Sequence, residues 1–358
     1  MAGRRCNTTD SGHGLFAIVG EPVAADFAEL GLQGRAELSG TVTTKRLLGL
    51  VSTLAADGGT VKYAVLAPVA MNTTADPQWM TQFAQHAESS GFESITVVEH
   101  AVVMSSYSSV YPYAADGRME LADDCVIPDP LDLLSFLAAA TSRIGLSTGV
   151  LVMPNHHPVV LAKRAATVDA LSGGRLRLCV GVGWMAEEIE ACGAEFRTRG
   201  RRTDESIDVM RTLWADSAPG GASHHGRFFN FDNAMSYPKP ASPQGVPIHI
   251  GGHSAAAARR AGRRGDGLQP LGVSGDELTN LVTVMRREAE RAERDPGALE
   301  LTLGHSVARV TPEKAAKLAG MGADRLLLTL TPTADLSAVK DELSACADRL
   351  GLTSAVAQ

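Results

Sequence analysis

From Val61 onward one pattern repeats along the chain: a short β-rich apolar run, a loop, then a helical stretch. The eight runs begin at Val61 (VKYAVLA), Ser94 (SITVVE), Ile144 (IGLSTGV), Arg175 (RLRLCVG), Pro247 (PIHIGG), Asp266 (DGLQPL), Leu301 (LTLGHSVA) and Asp324 (DRLLLTL). Between them apolar residues recur at three- and four-residue spacing, the signature of a helix with one buried face. Asp76-Pro77 and Asp129-Pro130 mark two helix starts, since Asp takes up free amides and Pro suits the first turn. Further helical stretches open at Pro158, Asp204, Ser254, Glu277, Pro312 and Asp335. Strands that alternate with helices pair in parallel. Eight such units in roughly 290 residues fit a closed (β/α)8 barrel with insertions, for which about 250 residues is typical. An open doubly wound sheet is the alternative.

Residues 1–60 stand outside this scheme, with weak periodicity and no strand–helix alternation. They read as an extension that caps the barrel or stays disordered, and residues 61–358 as the barrel domain. Because the first strand begins at once at Val61, natural translation is expected to start there. An intact mass counted from Met1 would rule that out.

With 44% hydrophobic and 20% charged residues, 358 residues supply ample core for a globular protein. A net charge of −7 argues against nucleic acid or an acidic membrane surface as partner. The arginines at 197–202 and 259–264 are flanked by acidic residues and read as solvated helix faces. Cys6, Cys125, Cys179, Cys192 and Cys346 are odd in number and scattered, without a C-x-x-C, which fits a reducing cytoplasm without disulfides. The apolar piece GLFAIV is cut off by Gly20, Glu21 and Pro22, too short for a signal peptide, and no run reaches membrane-spanning length.

The sharpest local question lies at 175–184, RLRLCVGVGW, where Gly181, Gly183 and Ala186 spell G-x-G-x-x-A after a strand. A dinucleotide turn needs a second strand ending in an acidic residue about 20 positions on. Here Asp204 and Glu205 start a helix with no strand before them, and the motif sits in the fourth unit. Glycines at a barrel strand end instead let backbone approach a ligand. HIGGHS, His249 to Ser254, is a second such place: either a tight strand–helix turn or, through free helix amides and Ser254, a phosphate site.

Several of these segments, in order, resemble the luciferase-like monooxygenase family, and within it the coenzyme F420-dependent oxidoreductases. They are GFESITVVEH (91–100), YPY (111–113), DPLDLLSFLAAATSRIGLSTGVLVMP (129–154), HPVVLAKRAATVDALSGGRLRLCVGVGW (157–184), RGRRTDES (199–206), PIHIGGHS and GDGLQP. The resemblance runs from Val61 to about Leu350 and does not touch the first sixty residues.

The resemblance implies a role for each matching position. Glu99-His100 would lie against the deazaflavin ring, with His100 as proton donor or acceptor and Glu99 its companion. Gly149-Val150 would be a non-prolyl cis peptide supporting the ring. Gly251, Gly252, His253 and Ser254 would hold the cofactor phosphate, and Gly181, Gly183 and Trp184 would form the lip beside ring and tail. Read without the family, His100 is a structural strand-end residue, Gly149 an ordinary strand-end glycine and Trp184 core or rim. One departure matters: the F420-dependent sugar-phosphate dehydrogenases carry a catalytic Glu just past this lip, where Ala186 stands, followed by Glu187 and Glu188. The acid role is not carried over, and a sugar phosphate is not expected as substrate.

Substrate is expected over the long irregular segment 101–128, which holds Tyr107, Tyr111 and Tyr113, three of the chain's five tyrosines. These either stack on a planar or apolar substrate or pin the loop to the barrel. His156-His157 and His224-His225 invite a metal, but adjacent residues seldom converge on one ion and no third ligand shows. The expectation is therefore a cytoplasmic, homodimeric enzyme moving hydride between reduced F420 and a small organic substrate. An FMN-dependent monooxygenase on the same barrel, or a non-catalytic flavin carrier, are the rival readings.

Overall fold

The computed structural model describes residues 61–215, 219–270 and 272–352. The readings of residues 1–60 and of a start at Val61 lie outside the described residues. In chain order the elements are β1 (Lys62–Leu66), α1 (Pro77–Ser89), β2 (Ser94–Val97), α2 (Pro130–Ala140), β3 (Gly145–Thr148), β4 (Leu151–Val152), α3 (Pro158–Ser172), β5 (Leu176–Gly181), α4 (Ala186–Ala191) and α5 (Arg199–Trp214). There follow β6 (Ala222–His225), β7 (Asn230–Ala234), β8 (Ile248–Gly251), α6 (Ala255–Arg264), β9 (Gly267–Gln269), α7 (Gly275–Arg291), β10 (Glu300–Ser306), α8 (Pro312–Gly320), β11 (Arg325–Thr329) and α9 (Leu336–Leu350).

The main sheet runs β3-β2-β1-β11-β10-β9-β8-β5-β4, and β3 also pairs with β5, so the sheet closes. The pairs are parallel, and β4 continues β3 past Gly149-Val150, leaving eight positions around a (β/α)8 barrel. Closure removes the open-sheet alternative. Asp76 accepts from the amides of Gln78 (2.9 Å) and Trp79 (3.0 Å), and Asp129 from those of Leu131 and Asp132, so both Asp-Pro signals cap helices. No described helix is long and apolar enough to cross a membrane.

Two local features depart from the sequence pattern. Helix α5 starts at Arg199, five residues before Asp204, because a 3-10 turn at Phe196–Thr198 leads straight into it. An antiparallel hairpin, β6–β7, is inserted between α5 and β8. The Glu205 carboxylate ties it down, accepting from the amides of Arg227 (3.0 Å), Phe228 (2.9 Å) and Phe229 (2.8 Å).

Strand residues alternate between two interiors. Val65, Ile95, Leu146, Leu178, Ile248 and Leu326 face outward and join the helices in the main core, whereas Ala64, Leu66 and Leu327 form a separate small cluster inside the barrel. At the N-terminal ends of the strands the lumen is filled by charge. Arg325, 2% exposed, donates to Glu93 (2.9 and 3.0 Å) and Glu300 (2.8 Å), and Arg177 to Glu93 (3.0 Å). His249 Nε2 lies 3.5 Å from Glu300. Burial, aided by the charges of Arg177 and Arg325, pushes the His249 pKa down to about 3.

The sign of the pH effect follows. Folded His249 stays neutral while the unfolded chain binds a proton below its ordinary pKa of about 6.5. Stability is therefore expected to fall as pH drops from about 6.5 toward 3, by up to about 1.4 kcal/mol per pH unit from this group. Burial opposes the charge on Glu93 and Glu300, but Arg177 and Arg325 at the first, and Lys62 and Arg325 at the second, hold both near about 2. Their stabilisation, full above the ordinary carboxylate pKa, is lost lower, as pH falls toward 2. Urea midpoints for His249→Asn should show a shallower slope between about pH 6.5 and 4.5, with His157 and His305, also lowered by burial, keeping their share. An unchanged slope would refute the assignment.

Candidate active site

At the opposite, C-terminal ends of the strands lies a cavity of about 790 Å3. It collects Glu99, His100, Tyr111, Tyr113, Gly149, Val150, Gly181, Gly183, Trp184, Gly251, Gly252, His253 and Ser254 from four strand ends and the loops that follow them.

Its floor is Val150. The Gly149–Val150 peptide is cis. A Cβ on Gly181 would stand 2.8 Å from one Val150 methyl, and a Cβ on Gly251 would stand 2.3 Å from the other. These glycines thus make room for a neighbouring side chain of the same protein. Gly251→Ala should overpack the floor and cost about 1–3 kcal/mol. Thermal unfolding checks this, and an unshifted midpoint would refute it.

Two histidine–carboxylate pairs stand at the end of β2. Glu99, 6% exposed, accepts from Val152 N (2.5 Å) and lies 2.6 Å from His156 Nε2. His100 Nδ1 lies 3.0 Å from Oε2 of Glu188, whose Oε1 accepts from Ala101 N at 2.6 Å. Glu99 and His100 both line the cavity and each has a different hydrogen-bond partner, because adjacent residues leaving a strand point to opposite sides. Glu188, on α4 and 2% exposed, is the site carboxylate that sequence reasoning missed. With Nδ1–H facing this carboxylate, His100 Nε2 has no partner and is left for a bound molecule.

A line of rings crosses the cavity. Trp184 meets His100 (6.4 Å between centroids) and Tyr111 (5.0 Å), Tyr111 meets Tyr113 (5.3 Å), and Tyr113 meets His253 (5.2 Å). Tyr107 stands outside the lining: it packs on Trp184 at 5.5 Å, its hydroxyl accepts from Met119 N at 3.0 Å, and Arg118 covers its ring. Of the two roles open to the tyrosines, Tyr107 takes the pinning one. Glu187 fastens the same loop, accepting from Ser108 N (2.6 Å) and Ser109 Oγ (2.7 Å), and these bonds hold its pKa near about 2. Burial pushes the Tyr113 hydroxyl up to about 12, so it stays a neutral donor.

The far end is cationic. Ser254 Oγ accepts from Ala257 N (3.2 Å) and caps α6, whose first turn lines the cavity with Gly252 at φ +125°. Arg197, Arg199, Arg201 and Arg260 stand around it. Arg260 is fixed by Asp204 (2.6 Å) and Gly200 O (3.0 Å), and Arg199 by Gly183 O (3.2 Å). The reading of these clusters as solvated faces therefore holds for Arg263 and Arg264, which pair with Glu288 and Asp208, and fails for the four that border the cavity. The histidine doublets face separate carboxylates or rings, and among the described residues no three His, Cys, Asp or Glu side chains group as metal ligands.

A barrel with its cavity at the C-terminal strand ends, a Val150 floor seated on glycines and a helix N-terminus bordered by arginines is the scaffold of a small-molecule site. The profile of the luciferase-like monooxygenase family matches residues 59–344, and the chain belongs to that family. A protein of Mycobacterium tuberculosis without assigned function is 34% identical over 209 residues, covering 58% of this chain and 70% of its own. An F420-dependent glucose-6-phosphate dehydrogenase of Kribbella flavida is 29% identical over 262 residues, covering 66% and 72%. Among solved structures, an F420-dependent secondary alcohol dehydrogenase with an F420-acetone adduct superposes with TM-score 0.62 at 19% identity, covering 82% of this chain and 99% of that one. A monooxygenase of Streptomyces bottropensis does so with TM-score 0.62 at 18% identity, covering 81% and 98%. At such identities the superpositions show the fold.

Proposed function

We propose that the protein is an F420-dependent oxidoreductase that moves hydride between reduced deazaflavin and a small organic substrate. One observation carries the reading: a single cavity joins a histidine–carboxylate pair to a helix N-terminus ringed by arginines, across an apolar floor. The names of the relatives support the choice of F420, and His253 Nδ1 offers a buried polar atom without a partner at the anion end. The residues present fit such a cofactor. When bound, the deazaflavin supplies a ring carbon that gives or takes hydride.

The chain's own residues do the rest. The α6 amides, Ser254 and the arginines Arg199 and Arg260 receive the phosphate. Val150 and Trp184 offer apolar surface to a planar ring. His100, held at Nδ1 by Glu188, keeps or releases a proton at Nε2. The loop 101–128, latched by Glu187, covers the site and excludes water. A homodimeric, cytoplasmic enzyme with neither metal, nucleic acid nor membrane partner completes the proposal. Titration of the purified protein with F420 and with FMN, followed by their own fluorescence, tests it. Saturable F420 binding is expected, and tight FMN binding with no F420 response would overturn it in favour of the FMN-dependent reading.

A further inference from the structure

The cavity lining is sorted by charge around the barrel. Every arginine in it comes from the stretch that follows β5 and runs through α6, on one side. The other side, above β1 and β2, is built by Val69, Val98, Tyr111, Met119 and Leu121. No cation lines that half; the nearby Arg118 is spent on the Tyr107 ring and the Tyr107 carbonyl (3.0 Å). The charged groups that do face it are Glu99 and Glu188, both buried carboxylates. An anion entering there would leave water for apolar walls and two like charges, with no arginine or lysine to pair it. A neutral molecule loses little on entry and covers the valines, Met119 and Leu121. The partner-free Nε2 of His100 offers it one hydrogen bond.

We infer that this half of the cavity takes an uncharged, mainly apolar molecule carrying a single carbonyl or hydroxyl oxygen, and excludes phosphorylated or carboxylated ones. The inference deepens the reading of the site as an oxidoreductase centre and rests on it only for what happens after binding.

Tryptophan emission of the protein without cofactor tests it apart from the choice of cofactor. Trp79 and Trp214 are buried, with Nε1 bonded to Ala334 O and Ala162 O, so Trp184 is the indole that a ligand here touches. Cyclohexanone should change the emission saturably, and Trp184→Phe should remove the change. Glucose 6-phosphate, which the arginines at the far end can hold, should not compete with the ketone at ten times its concentration. Leu121→Arg, which adds a cation to this half, should weaken the ketone response at least tenfold and make glucose 6-phosphate a competitor of what remains. Competition by the phosphate in the unaltered protein, or no response to the ketone, overturns the inference. F420 titration of the same samples separates that failure from failure of the cofactor reading.

Discussion

Glu188→Gln is expected to lower kcat by about 100-fold, the lower end of what a general acid–base contributes. The amide can still accept from Ala101 N, but it no longer presents a charged acceptor to Nδ1–H of His100, now 3.0 Å away. The imidazole would then turn or change tautomer, and the proton at Nε2 would no longer be delivered in register. F420 affinity should stay within about twofold of the unaltered protein, because Glu188 bonds to His100 and Ala101 and not to the helix proposed to receive the phosphate. Steady-state kinetics beside F420 titration separate the two effects. A kcat within about threefold of normal would refute the positioning role.

Arg325→Met carries the largest expected effect on stability, a loss of about 3–5 kcal/mol, because breaking a buried ion network by removing one partner strands the others. Arg325 is the shared donor of Glu93 and Glu300, and Arg177 and Lys62 alone would be left to pair them. Adding Glu300→Gln should restore part of the loss, since Glu300 is the carboxylate left with only the exposed Lys62 as its cation, whereas Glu93 keeps Arg177. Urea unfolding checks both variants, and a loss below about 1 kcal/mol would show that Arg177 suffices. F420 binding should persist in the folded fraction, as the network fills the barrel end opposite the cavity.

The barrel was legible because its signals are local. Each of the eight β-rich runs becomes a strand, and the Asp-Pro starts cap helices through their own carboxylates. The charged lumen was not legible. Arg177, His249 and Arg325 alternate with apolar residues, and in one strand that pattern reads equally well as a solvent face; only closure turns it inward. The β6–β7 hairpin escaped for a related reason, since ASHH and NFDNA carry little apolar alternation and are held from outside by Glu205.

At the site, family motifs brought most lining residues together by number, but partnership was hidden. Glu99 and His100 are neighbours in sequence and partners of others in space. Glu187 and Glu188 both open α4, one clamping the loop backbone and the other entering the cavity. No spacing rule says which does which. The arginines at 197–202 were masked by their acidic neighbours, although Asp204 in fact holds Arg260 toward the cavity rather than neutralising a surface.

The seat of Val150 on Gly181 and Gly251 has a consequence for redesign. Three positions from three different strands behave as one part, so altering any one of them alone asks the other two to move as well. A library aimed at new substrates gains little at these glycines unless Val150 is trimmed in the same clone. Variation at Met119 and Leu121 reshapes the apolar half of the cavity while leaving that part intact.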